Sequence, residues 1–127
     1  MAAELQWAII RNNSSFIVKS LGTTLARDPN NLTGTNSFKA NGLVNKNVVG
    51  IKAADKGAIL TIKSKEKLTS ITLSRGGRRT IKSIRAATEG SHYRADLTDF
   101  AVRKASAIIR SQKSKNVAKR RSRKSKN

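Results

Sequence analysis

The segment LTDFAVRKASAIIRSQ, residues 97–112, carries the strongest structural signal in this chain of 127 residues. Its apolar side chains recur at intervals of three and four residues, which places them along one face of an α-helix. Asp96 stands at the expected N-cap position, and Asp99 in the first turn suits the positive end of the helix dipole. The segment therefore predicts an amphipathic helix. Its predicted apolar face consists of Leu97, Phe100, Ala101, Ala105, Ile108 and Ile109, and its predicted exposed residues are Arg103, Arg110 and Lys113.

Lys104 interrupts the apolar arc of this helix. A lysine at such a position can lay its methylene stem along the core and send its ammonium group outward. Alternatively, Lys104 marks a gap in the packing.

A second helix is predicted from Arg78 to Glu89, because Gly76 and Gly77 precede it and Gly90 follows it. Ile81 and Ile84 fall on one face of this helix, which we expect to pack on the core. Its cations cluster on the adjoining face. They are Arg78, Arg79, Lys82 and Arg85.

Segments rich in β-branched residues predict the strands. Ala58–Lys63 and Thr69–Ser74 flank a short charged segment and are expected to form a hairpin. Phe16–Lys19 and Asn47–Lys52 are shorter candidates, and the sequence DPNN at 28–31 is typical of a turn. Since strands mostly precede helices, the chain is predicted to be α+β, with helices packed on a small antiparallel sheet.

The spacing of apolar residues does not decide the secondary structure of two segments. Leu5–Arg11 fits the alternation of a strand as well as a short helix. Thr33–Lys46 surrounds Phe38 and Leu43 with asparagines and glycines, and its pattern assigns no regular structure.

Positive charge is concentrated in the second half of the chain. Residues 1–60 hold 7 basic and 3 acidic side chains, whereas residues 61–127 hold 20 and 4. The stretch 111–127 has 8 basic groups, no acid and little apolar surface, so burial there cannot offset the entropy of ordering. We therefore expect a single folded domain over 1–110 and a basic, extended C-terminal tail over 111–127.

The composition excludes several classes of function. The chain has no cysteine and one histidine, His92, so disulfides, thiolate nucleophiles and histidine metal sites are not expected. The seven carboxylates are scattered and no glycine-rich phosphate loop occurs, so we predict no enzyme, no cofactor and no small-molecule substrate. Without a long apolar run or a signal-peptide pattern, a soluble intracellular protein is expected.

A net charge of +20 makes a polyanion the expected partner, either nucleic acid or an anionic membrane. The cations comprise 12 arginines and 15 lysines, and this mixture suits a folded RNA surface because guanidinium groups bind phosphates bidentately and stack on bases. Phe38 and Tyr93, each beside a basic residue, are candidates to stack on a base. The other aromatic residues, Trp7, Phe16 and Phe100, are expected in the core.

Three longer stretches carry a family resemblance. They are LQWAIIRNNSSFIVK at 5–19, DPNNLTGTNSFKANGLVN at 28–45 and SHYRADLTDFAVRKASAIIRSQK at 91–113. Together they resemble the eukaryotic large-subunit ribosomal protein family numbered twenty-eight. Two departures are visible: the chain reads YRADL at 93–97 where the family commonly has Y-R-P-D-L, and its hairpin connector is short.

The resemblance implies an α+β domain bound to ribosomal RNA on the outer part of the large subunit, without catalytic activity. It also implies that Leu5–Arg11 is helical and that the asparagine-rich block is an ordered loop docked on RNA. The implied partners are large-subunit rRNA and neighbouring ribosomal proteins, with no membrane. The implied location is the cytosolic ribosome, after passage through the nucleolus during assembly.

The residues predicted to contact RNA come from the basic helix faces, the asparagine-rich loop, the connector between the helices and the tail, which we expect to be disordered unless it binds RNA. They are Arg11, Asn30, Asn31, Asn36, Ser37, Phe38, Lys39, Asn41, Arg75, Arg78, Arg79, Lys82, Arg85, His92, Tyr93, Arg94, Arg103, Arg110, Lys113, Lys115, Lys119, Arg120, Arg121, Arg123 and Lys124. Two alternatives remain: a nucleolar ribosome-biogenesis factor, and a chromatin or DNA-binding protein with a helix-turn-helix, although the connector at 90–96 is long for that motif.

Overall fold

The computed structural model describes residues 2–64 and 67–113 and shows three α-helices and two antiparallel sheets. The elements are α1 Ala3–Ile10, β1 Ile17–Ser20, β2 Thr23–Ala26, β3 Val48–Ala53, β4 Ala58–Ser64, β5 Lys67–Leu73, α2 Gly77–Arg85, a π-helical turn Ala86–Gly90, a 3₁₀ turn Ala95–Leu97 and α3 Thr98–Gln112. The α+β class is confirmed. Within the described ranges, we find no helix whose length and apolar character would let it cross a membrane.

The strands form two sheets rather than one. The order β3-β4-β5 builds a three-stranded sheet, and β1 pairs with β2 in a separate two-stranded ribbon. Sequence analysis missed β2, which follows a tight turn at Leu21 and Gly22. Both turn residues have positive φ, 47° and 76°, as a type I′ hairpin turn requires. Leucine is rare in this conformation, so the turn carries no sequence signal.

The core lies between the three-stranded sheet and the paired helices α2 and α3. The sheet contributes Val49, Ile51, Ala58 and Leu60, and the helical region contributes Ile84, Leu97, Ala101 and Ala105. The alanines of α3 carry short side chains, which lets the helix approach its neighbours closely. Ile84 is fully buried, as predicted, and Ile108 packs against the edge of this core.

Several residues predicted for the core lie at its margin. Phe100 is 37% exposed, so the prediction that it is buried was wrong. The buried line of α3 passes through Ala101 and Ala105, and Phe100 stands one residue away from it, about 100° around the helix. Phe16 is also 37% exposed on the two-stranded ribbon. Trp7, Ile81 and Ile109 are half-buried.

The start of α3 differs from the prediction. Asp96 is not its N-cap, because the helix begins at Thr98 after the 3₁₀ turn. Arg94 adopts a left-handed conformation with φ 52°, and its Nε lies 3.2 Å from the Asp96 carboxylate. This pairing takes the carboxylate away from the backbone N–H groups of the helix.

The predicted helix from Arg78 to Glu89 ends as an α-helix at Arg85 and continues as the π-helical turn. Thr88 in that turn donates its hydroxyl hydrogen to the Ile84 carbonyl at 2.9 Å. Thr98 donates in turn to the Thr88 hydroxyl at 2.8 Å. These two buried hydrogen bonds join the end of α2 to the start of α3.

The outer face of β3 is covered by the loop that follows β2. Asn30 has φ 64°, which turns the chain so that its side chain lies on Gly50. A Cβ atom at position 50 would stand 2.4 Å from Asn30 Oδ1. Glycine at position 50 is therefore what allows the loop to reach the sheet.

We expect Gly50→Ala to lower the free energy of unfolding by about 1–3 kcal/mol, because the added methyl group displaces Asn30. Urea denaturation of the full-length chain measures this change. The double variant Asn30→Gly/Gly50→Ala is the control: it removes the clash, and glycine tolerates the positive φ at position 30, so stability should return. Equal stability of Gly50→Ala and the natural protein would contradict the close approach.

Candidate nucleic-acid interface

The cations of α2 form one solvent-facing surface. Its inner side is occupied by Thr80 and Ile84, which are buried. Because successive residues of a helix turn by about 100°, the basic positions of α2 fall away from this buried line. The α2 basic face consists of Arg78, Arg79, Lys82 and Arg85, all exposed, with exposed Arg75 just before the helix.

Helix α3 adds a second group of exposed cations, Arg103, Arg110 and Lys113. Within residues 2–64 and 67–113, the ion pairs are Lys39–Asp96 at 3.8 Å and Arg94–Asp96 at 3.2 Å. In that part of the chain, none of the exposed cations of α2 and α3 therefore forms an ion pair with a carboxylate. A surface of unopposed guanidinium and ammonium groups favours an external polyanion.

The asparagine-rich loop is held by its own polar side chains. Asp28 is buried, and its carboxylate accepts hydrogen bonds from Asn31 Nδ2 at 2.8 Å and from the Gly42 backbone N–H at 2.6 Å. Asn31 Nδ2 also donates to the Thr35 carbonyl, and Asn31 Oδ1 accepts from the N–H groups of Thr33 and Gly34. The loop is thus built around one buried carboxylate and one buried amide.

Three of the predicted RNA-contacting asparagines have internal roles. Asn31 and Asn41 are each 6% exposed, and Asn41 Oδ1 accepts from the N–H groups of Leu43 and Val44. Asn30 lies against Gly50. Asn31 and Asn41 are engaged by hydrogen bonds within the loop, whereas Asn30 packs on β3 with its Oδ1 buried and without a hydrogen-bond partner among the described residues. We do not carry these three residues into the proposed interface.

Two other polar residues of the loop make local contacts near its surface. Asn36 Nδ2 donates to the Arg11 carbonyl at 2.6 Å, which ties the loop to the end of α1. Ser37 accepts a long hydrogen bond of 3.4 Å from the Ala40 N–H. Arg11 itself is exposed.

Lys104 reaches from α3 to this loop. Its Nζ donates to the Asn31 carbonyl at 2.9 Å, so the ammonium group turns toward the loop rather than into solvent. Burial lowers the pKa of Lys104, and the nearby Asp28 carboxylate opposes that shift. The lysine that interrupts the apolar arc therefore fastens the loop to α3.

Tyr93 has a structural position that differs from the predicted base-stacking role. Its ring packs against the hydrophobic core, and its hydroxyl donates to the Lys63 carbonyl and accepts from the Val48 N–H at 3.0 Å. Burial raises the pKa of Tyr93, while the Val48 hydrogen bond and the charge of Arg94 act in the opposite direction. The residue bridges β3 and β4, and we omit it from the proposed interface.

Arg94 is likewise engaged internally. Its guanidinium group donates to the Asn47 carbonyl at 3.0 Å and to the Lys39 carbonyl at 2.7 Å, besides binding Asp96. The side chain is only 18% exposed. Arg94 therefore binds both ends of the segment from Lys39 to Asn47. The nearby residue His92 is exposed.

Phe38 retains the geometry expected of a stacking residue. It is 38% exposed, and its ring lies 6.0 Å from that of Trp7 at an interplanar angle of 54°. Phe100, which was predicted for the core, is also partly exposed, and its ring centroid lies 5.8 Å from Lys39 Nζ. Its helical spacing predicted that Phe100 is buried, so no sequence pattern indicated an exposed ring.

The remaining predicted contacts, Lys115, Lys119, Arg120, Arg121, Arg123 and Lys124, lie outside the described residues. Among the residues that are described, no group of three or more histidine, cysteine, aspartate or glutamate side chains is arranged to hold a metal ion.

A sequence profile of the Ribosomal L28e protein family matches residues 5–111. The chain belongs to this family. It is similar to the large ribosomal subunit protein eL28 of Schizosaccharomyces pombe, with 33% identity over 125 residues, 88% of this chain and 93% of that protein. The corresponding Caenorhabditis elegans protein is 31% identical over 116 residues, 88% of this chain and 91% of that protein.

Membership in the L28e family confirms the resemblance found in the three sequence stretches. It makes the chain a ribosomal protein, a structural component rather than an enzyme. The helical state that the resemblance implied for Leu5–Arg11 agrees with α1. The YRADL departure falls where Arg94 has a positive φ and the 3₁₀ turn begins.

We expect Tyr93→Phe to lower the free energy of unfolding by about 1–2 kcal/mol at neutral pH, because Lys63 and Val48 lose a partner. Since burial raises the pKa of folded Tyr93, its contribution is complete below the ordinary value of 10.0 and is lost as pH rises through the raised value. The stability difference between the two proteins should therefore shrink above pH 10. Urea titrations at pH 7 to 11 measure it, and a constant difference would contradict the assignment.

Proposed function

We propose that this protein is a structural constituent of the large subunit of the cytosolic ribosome and binds rRNA through the α2 basic face and the cations of α3. The observation that carries the proposal is the absence, within the described ranges, of any carboxylate paired with these cations. RNA phosphates supply the missing negative charge, and arginine matches their geometry bidentately. The S. pombe and C. elegans relatives are named as large-subunit proteins, which supports the assignment to that subunit.

The proposed contact set is narrower than the predicted one. It keeps the exposed residues and leaves out those whose side chains hold the fold together. The retained residues are Arg11, Phe38, Lys39, Arg75, Arg78, Arg79, Lys82, Arg85, His92, Arg103, Arg110 and Lys113.

The basic C-terminal segment extends the proposed interface. Residues 114–127 contain seven lysines and arginines and no acid. Such a segment neutralises phosphates from more than one strand without needing a core of its own. We propose that it follows the RNA beyond the folded domain, that neighbouring ribosomal proteins border it, and that the protein passes through the nucleolus during assembly.

Charge reversal of the α2 basic face tests the proposal. We expect Arg78→Glu/Arg79→Glu/Arg85→Glu to weaken binding to large-subunit rRNA at least tenfold and to reduce incorporation into 60S particles, because phosphate contacts become repulsive. Filter binding and sucrose-gradient sedimentation of tagged protein measure the two effects.

The control for this experiment is Lys19→Glu/Lys46→Glu/Lys52→Glu, which changes the net charge equally at exposed positions outside the proposed contact set. Comparable losses in both triple variants would show that net charge alone governs binding. Normal incorporation of the α2 variant would refute the assigned face.

Deletion of residues 114–127 tests the basic segment separately. Each phosphate contact contributes about 0.7–0.9 to the slope of log affinity against log salt, so we expect a slope shallower by about 2 to 6. Replacing the segment with an equally long serine and asparagine sequence should give the same result as the deletion. A slope equal to that of the full chain would exclude the segment from the interface.

A further inference from the structure

A cavity of about 520 Å³ opens between the end of β5 and helix α2. Leu73 and Ala86 provide apolar surface, and the hydroxyl-bearing residues Thr72, Ser74 and Ser83 stand around it. Its volume lies within the range that encloses a compact organic molecule. The cavity lies between two consecutive elements, since only three residues separate the end of β5 from the start of α2.

Among the described residues, the charged side chains that line the cavity are all basic. They are Arg75, Arg79 and Lys82. A divalent cation would therefore find no ligands of the required kind. The three exposed cations around the opening favour a ligand that carries negative charge.

The hydroxyl group of Thr80 is a second, independent indication of a ligand. Thr80 lines the cavity and is only 2% exposed, and its hydroxyl is buried without a hydrogen-bond partner among the described residues. Buried hydroxyl groups are normally paired, and exceptions often mark a functional site. The π-helical turn that begins at Ala86, at the edge of the cavity, is a distortion that also occurs frequently at such sites.

The shape of the cavity distinguishes between modes of RNA contact. A phosphate on the convex backbone of a duplex would touch its rim and leave the apolar surface empty. An unstacked nucleotide fills it more completely, because its base covers apolar side chains while its phosphate stays with the cations. Arginine at the rim can also stack on a base.

We propose that this cavity receives a single unstacked nucleotide of the bound rRNA. The base lies on Leu73 and Ala86 with its polar edge toward the surrounding hydroxyl groups, and the 5′-phosphate is held by Arg75, Arg79 and Lys82. This inference rests on the proposed function, since the nucleotide belongs to the same RNA that the α2 basic face binds. It assigns to that face the recognition of one base in addition to phosphate binding.

The direct test titrates the full-length, ¹⁵N-labelled chain with AMP, GMP, CMP and UMP while amide chemical shifts are recorded. At least one mononucleotide should shift the signals of residues 72–75 and 79–83 saturably. It should bind at least fivefold more tightly than ribose 5-phosphate, inorganic phosphate or a phosphoserine peptide. Equal binding of these four kinds of probe, or no binding, would overturn the proposal.

The second test fills the cavity without changing charge. Ala86 is exposed at its edge, and we expect Ala86→Leu to abolish mononucleotide binding and to weaken rRNA binding about three- to tenfold with an unchanged salt slope. The matched control is Ala107→Leu, at an exposed position of α3 outside the cavity, which should alter neither affinity. Melting temperatures of both variants check that the fold is intact.

The two proposals can fail separately. If Ala86→Leu binds rRNA as the natural protein does while charge reversal of α2 abolishes binding, the nucleotide cavity is refuted and the rRNA interface stands. If the natural protein fails to bind rRNA, the proposed function is refuted, and with it this inference.

Discussion

Carboxylates are scarce in this chain, with seven against 27 basic side chains, and the structure commits two of them to internal contacts. Asp28 is buried and gathers the asparagine-rich loop through Asn31 and Gly42. Asp96 pairs with Arg94 and Lys39. None of the other carboxylates in the described residues forms an ion pair with the exposed cations of α2 and α3. Such unpaired cations favour a polyanion outside the chain.

The asparagine-rich loop and the sheet are held by polar side chains that bind distant backbone carbonyls. Lys104, Tyr93 and Arg94 each reach a backbone carbonyl in a distant part of the chain. Residues of types common in RNA interfaces thus hold the loop and the sheet in place. The RNA interface that we propose consists mainly of exposed cations on helices α2 and α3.

Sequence analysis placed both long helices and four of the five strands, because hydrophobic period and β-branched composition are local properties. It failed where a local pattern competed with a tertiary contact. Asp96 has the ideal position for an N-cap but is drawn to Arg94. Phe100 fits the apolar arc of α3 but stands at its edge, because the alanines and not the phenylalanine lie against the sheet.

The sequence by itself determined the charge excess, the α+β class and the family, because composition and local sequence order carry this information. Tertiary structure alone decided which polar residues remain at the surface. Tyr93 meets Val48 across 45 residues of sequence and Arg94 meets Lys39 across 55, and neither pairing leaves a periodic trace. The cavity beside α2 is formed by neighbouring segments, the end of β5 and the helix that follows it, and its shape depends on how that helix packs against the sheet.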